Sequence, residues 1–164
     1  MSGQDDAQSV YAGLRNSILT LDPADVGIGP TPELPRVWGA VMDTGNPNGT
    51  VTVVALADGT TSLYTSTGGG IIGAGEHATV AAATRALLGV VEAHLDQLPT
   101  DAQSDLPPAD WVVLRALTYG GQRAVLAEED ELGYDRHPLS PIFHAVHEVI
   151  TALRLLDESR RSQP

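Results

Sequence analysis

Thr50-Val51-Thr52-Val53-Val54-Ala55-Leu56-Ala57-Asp58-Gly59-Thr60-Thr61-Ser62-Leu63-Tyr64-Thr65-Ser66 is the stretch that decides the fold. Two runs rich in β-branched residues flank an Asp-Gly pair. Such runs suit a pleated, half-buried surface, and Asp-Gly tolerates the positive φ of a tight hairpin turn. The pattern predicts strands over 50–57 and 60–66, joined as an antiparallel hairpin. Along the first strand Val51, Val53 and Ala55 face one way and Val54 and Leu56 the other. A sheet with one wet face alternates apolar with polar, so both faces of this one should be covered, by the N-terminal helix or by a second subunit. The second possibility motivates the expectation of a homodimer.

Reading outward adds the remaining elements. Residues 36–42 predict a strand entering through the turn-forming Asn46-Pro47-Asn48-Gly49. Residues 111–119 and 122–128 predict a second hairpin around Gly120-Gly121. Helical spacing of Val10, Leu14, Ile18 and Leu21 predicts a helix over 7–21, and Pro23 ends it. Val80, Ala83, Leu87, Val90, Val91 and Leu95 predict one over 76–98, and Leu139, Ile142, Phe143, Val146, Ile150 and Leu153 one over 139–159. Residues 22–35, with four prolines and two glycines, read as a stiff connector, and 128–137 as an irregular acidic one. Residues 1–6 and 160–164 read as tails around a single α+β domain of residues 7–159. Its order is α-β-β-β-α-β-β-α and its sheet is mainly antiparallel with five strands.

That order resembles type III secretion chaperone-like domains. It is also similar to profilin-like and roadblock-type binding domains, which distribute strands differently around the middle helix. The resemblance is one of topology, and it implies a small binding or assembly domain. No residue roles follow from it.

The chain has 164 residues, 21 acids against 9 arginines, no lysine and no cysteine, and a formal charge of −12. Disulfides and thiol chemistry are therefore excluded. A negative surface repels nucleic acid and anionic lipid. The acidic N-terminus lacks an apolar leader and no run of 18 apolar residues is present, so a soluble cytoplasmic protein is expected, bound to neither nucleic acid nor membrane.

The one unusual local motif is Gly68-Gly69-Gly70-Ile71-Ile72-Gly73-Ala74-Gly75, followed by Glu76 and His77. It formally satisfies G-x-G-x-x-G, yet it follows hairpins rather than a parallel βαβ unit, lacks an acid closing a second strand about 20 residues on, and sets Glu76 where a phosphate would lie. No lysine follows Gly73, so it is not a P-loop. The run reads first as a chain reversal or close packing, and second as a contact site built from Gly68, Gly69, Gly70, Ile71, Ile72, Gly73, Gly75 and His77.

His144, His147 and Glu148 spell His-x-x-His-Glu, which is not the i,i+4 zinc pattern. Glu128-Glu129-Asp130-Glu131 lacks calcium-loop alternation. No catalytic residue, metal site or cofactor is assigned. The leading expectation is a non-enzymatic binding or assembly domain acting as a homodimer, with its contact surface near the glycine run. The alternatives are a small-molecule or nucleotide-like ligand at residues 68–75, and an acidic chaperone for a basic protein partner.

Overall fold

A computed structural model describes residues 2–100 and 105–162. Met1, the end of the expected C-terminal tail at 163–164, and the middle of the loop between the second helix and the second hairpin lie outside the described residues. The fold is α+β in one domain: α1 (Ser2–Leu19), β1 (Val37–Asn46), β2 (Gly49–Leu56), β3 (Thr61–Thr65), β4 (Gly70–Ile71), α2 (Ala78–His94), β5 (Trp111–Thr118), β6 (Gly121–Glu128), α3 (Glu129–Gly133) and α4 (Ser140–Arg161). The strands form one antiparallel sheet in the order β4-β3-β2-β1-β5-β6.

Several expectations need correction. The sheet has six strands, not five, because the glycine run itself contributes β4. The first helix begins at Ser2, so the residues read as an N-terminal tail are its opening turns. Acids are favoured there by the positive helix end, so Asp6 suits a helix start as well as a tail. The last helix runs through Arg161. Its basic final turn complements the negative helix end, and Arg161 pairs with Asp157 one turn back at 3.1 Å. The acidic connector contains the short α3, whose first turn is Glu129-Asp130-Glu131. Residues 78–97 are, by length and hydropathy alone, apolar enough to cross a membrane. Here Leu87, Leu88 and Val91 of that helix are buried in the core.

The deciding hairpin pairs Val51 with Thr65, Val53 with Leu63 and Ala55 with Thr61. Its turn departs from the two-residue form. The Gly59 N–H donates to the Leu56 carbonyl at 3.0 Å, and only Gly59 has positive φ, +97°. This is a three-residue loop with the glycine at the bulge position. Asp58 instead accepts the Thr60 N–H at 2.9 Å.

β1 is one of the two central strands and carries a bulge where it meets β5, between Val37 and Gly39. Beyond the bulge, alternation sends Ala40 and Met42 to one face and Val41 and Asp43 to the other. The first face holds the main core: α2 and α4 pack on each other over Met42, Val53, Val112 and Leu114. The second face carries Trp38, Val41, Val54, Leu56, Tyr64 and Leu117, covered by Tyr11 of α1 and Ile28 of the connector. The chain's own helix thus shields the second face. Pro99 and Thr100 bridge to β6, where the Ala124 N–H donates to the Pro99 carbonyl at 3.1 Å. That contact blunts an otherwise free edge.

Candidate functional site

The glycine run is divided between two turns. Gly68 and Gly69 close the β3–β4 hairpin: the Gly68 N–H donates to the Thr65 carbonyl at 3.1 Å, and the Thr65 N–H to the Gly69 carbonyl at 3.2 Å. The Thr65 hydroxyl donates to the Gly68 carbonyl at 2.5 Å. Gly70 then pairs with Tyr64, and Ile71 with Leu63. Gly73 opens a 3-10 turn over Ala74–Glu76, which leads into α2. Two of these glycines have packing reasons. A Cβ on Gly70 would collide with the Leu63 carbonyl, and one on Gly75 with the Gly59 carbonyl. Ile71 tucks against the main core while Ile72 projects, 60% exposed. His77 precedes α2, and its Nε2 lies 3.1 Å from an Arg160 guanidinium nitrogen at the far end of α4.

The hairpin and α1 together bound a groove of about 460 Å³. Ala7, Val10, Tyr11 and Leu14 line it from the helix, and Tyr64, Gly68, Gly69, Gly70 and Ile72 from the sheet edge. Of the expected contact residues, Gly68, Gly69, Gly70 and Ile72 meet here. Gly73 and His77 do not line it, Ile71 packs instead against the main core, and Gly75 faces a different cleft. Among the described residues the one charged side chain in the lining is Asp6. Val10, 62% exposed, and Ile72 are large apolar side chains left open to water here.

Beneath α1 lies a polar network that sequence reading missed. Asp43 of β1 has no exposed surface. Arg15 grips it with a fork, Nε to Oδ1 at 3.2 Å and Nη2 to Oδ2 at 2.8 Å. The Thr52 hydroxyl donates to Asp43 Oδ1 at 2.7 Å. The Tyr11 hydroxyl is 2.6 Å from Thr52 Oγ1, and with the Thr52 proton committed to Asp43, Tyr11 is the donor. Burial pushes the Tyr11 phenol above its ordinary range, and the nearby Asp43 charge adds to this. Tyr64 meets Tyr11 edge-on, with ring centroids 5.6 Å apart. Its hydroxyl is buried without a hydrogen-bond partner among the described residues, and burial drives that phenol well above its usual range. The available signal was an aspartate interrupting the apolar run Val41-Met42-Asp43, with an arginine between Tyr11 and Ile18 on the helix's apolar stripe.

The other histidines have local roles. His144 pairs with Asp135 at 2.8 Å, His147 packs on the Phe143 ring at 4.4 Å, and His137 Nδ1 accepts the Leu139 N–H at 3.0 Å. Among the described residues no three His, Asp or Glu side chains gather as a metal ion would require. The site offers an apolar, glycine-walled groove beside a buried carboxylate held by Arg15 and Thr52. Comparison of the chain with protein-family models, with curated proteins and with solved structures gives no match.

Proposed function

We propose that this domain is an assembly module that self-associates as a homodimer through the groove between α1 and the β3–β4 hairpin. The observation that carries the reading is the pair Val10 and Ile72, both more than half exposed, flanking an apolar groove. Large apolar side chains left open around one depression are a common mark of an interaction surface. The glycine wall lets an opposing side chain approach the backbone closely. Charge favours a second copy at this place in particular. On a chain of net charge −12 two copies repel each other, and among the described residues this surface contributes only the charge of Asp6. In a two-fold arrangement Ile72 of each protomer would enter the groove of its partner, an isologous contact. The element order, which resembles that of secretion-chaperone-like domains, suits the same kind of role. A small ligand at the glycine run has less to work with, since among the described residues the polar side chains of the lining are one carboxylate, Thr65 and two buried phenols.

Gel filtration with light scattering tests this directly. The wild type is expected to run as a dimer at micromolar concentration. Ile72→Asp and Val10→Asp, both at exposed positions, are expected to weaken it by about 30-fold or more, the effect of losing a hot-spot contact. A monomeric wild type overturns the proposal, and a dimer indifferent to both substitutions removes the groove from it.

A further inference from the structure

At the opposite end of β3, a second cleft of about 570 Å³ opens between the β2–β3 turn, α2 and the connector. Its volume lies in the range of small-ligand sites. Three observations mark it out from ordinary surface.

The first is an arginine without a partner. Acids outnumber arginines 21 to 9 in this chain, so an unpaired acid is expected and an unpaired arginine is not. Arg15, Arg36, Arg136 and Arg161 pair with carboxylates. Arg115 bonds Gln122, Arg123 donates to the carbonyls of Leu95 and Leu98, and Arg160 meets His77. Among the described residues only Arg85 and Arg154 have no hydrogen-bond or ion-pair partner. Arg154 lies beside His147 on α4, whereas Arg85, exposed to water, lines the cleft and is free to meet a ligand.

The second is Gly89, in the interior of α2, where glycine is the least favourable residue after proline. A Cβ there would meet nothing within 4 Å, so packing does not demand it. The bare position also lines the cleft, and any larger side chain would narrow it. The third is Tyr119, at the other wall, a partly exposed phenol whose hydroxyl has no protein partner among the described residues and can bond a ligand. Leu56 and Leu88 give the same cavity an apolar floor. Glu33 and Asp58 also line it, so their charges oppose any anion not held directly on Arg85, and a doubly charged one most.

We infer that this cleft binds a small organic monoanion, its carboxylate on the Arg85 guanidinium and its apolar body over Leu56 and Leu88 beside Gly89. The inference is independent of the dimer, since the two depressions sit at opposite ends of β3. A titration of the full ¹⁵N-labelled chain, followed by amide spectra, tests it with benzoate, benzyl alcohol and benzylammonium as probes. Benzoate is expected to give saturable shifts at Gly59, Gly75, Arg85 and Gly89 with a Kd of about 1 mM. Benzyl alcohol and benzylammonium should bind at least about tenfold more weakly, and Arg85→Gln should lose about tenfold for benzoate alone. Gly89→Leu is the control against misfolding: it should raise the Tm by improving α2 while abolishing benzoate saturation. The inference is overturned by the absence of saturable shifts at these residues, by equal binding of alcohol and benzoate, by preference for the ammonium, or by unchanged binding in either variant.

Discussion

The two faces of the sheet are covered in different ways. On one, α2 and α4 close over a continuous apolar layer, and Leu87, Leu88, Val91, Leu114 and Leu153 are almost wholly removed from water. On the other, a single helix lies over a mixed surface. It is fastened by Tyr11, by apolar neighbours and by the Arg15 fork on Asp43, with a groove of about 460 Å³ on one flank and one of about 870 Å³ on the other. An apolar layer is held by area and tolerates small shifts. A polar pin is held by geometry, and when half of it is lost the remainder becomes a liability. The side suited to contact with other molecules is therefore also the side whose integrity rests on a few directional bonds.

The largest effect should come from breaking that pin. Arg15→Leu leaves the Asp43 carboxylate buried and short of its main partner, and is expected to cost about 3–5 kcal/mol in urea unfolding. Arg15→Leu with Asp43→Leu removes both charges, so the double variant should recover most of the loss. If the double variant is as unstable as the sum of the singles, the pair is not what fastens α1.

The α2 face has a charged pin too, set at its margin. Glu92 of α2 accepts the N–H groups of Arg36 and Val37 at 2.8 and 3.1 Å and the Arg36 guanidinium at 2.6 Å. Burial alone would raise its pKa, but these donors together hold it below the ordinary 4.5. The sign follows from that depression: the carboxylate stabilises the fold above about pH 4.5, and the contribution fades as pH falls through the lower folded value. Glu92→Gln should cost about 2 kcal/mol at neutral pH. Its Tm should then fall less on acidification than that of the wild type. Parallel pH profiles of the two proteins would show that Glu92 is not the titrating contact.

Periodicity made the apolar face legible. The stripes Val80, Leu87, Val91 and Ile142, Val146, Ile150 are both spaced for a helix and both buried in the core. The Asp-Gly turn likewise placed the β2–β3 hairpin, although its loop is one residue longer than a two-residue turn. What stayed hidden depends on partners far apart in the chain. Arg15 and Asp43 are 28 residues apart and Arg36 and Glu92 are 56 apart, and no local pattern announces either pairing. β4 was hidden for another reason. Glycines are poor strand formers, and Gly70 is in the sheet because its bare backbone fits against Leu63 and Tyr64. Gly70→Ala should thus cost about 1–3 kcal/mol, since φ is +156° and the added Cβ meets backbone. Hydrogen exchange should place the loss at Leu63 and Ile71, with the α2 face unchanged; uniform loss would mean β4 is no separate edge element.

The smallest effect should fall on the polar face and carry the opposite sign. Tyr64 presents its ring to Tyr11 and the groove, but its buried hydroxyl has no partner among the described residues. A buried donor that has left water without a replacement bond lowers stability by about 1–3 kcal/mol relative to a satisfied one. Tyr64→Phe keeps the ring, the edge-on contact and nearly all the volume while deleting that donor. It should be neutral or stabilising by up to about 1 kcal/mol. By contrast, Tyr11→Phe, which removes a donor already bonded to Thr52, should destabilise. Equal losses in both variants would mean that the Tyr64 hydroxyl has a partner after all, and the polar face would then be as fully satisfied as the apolar one.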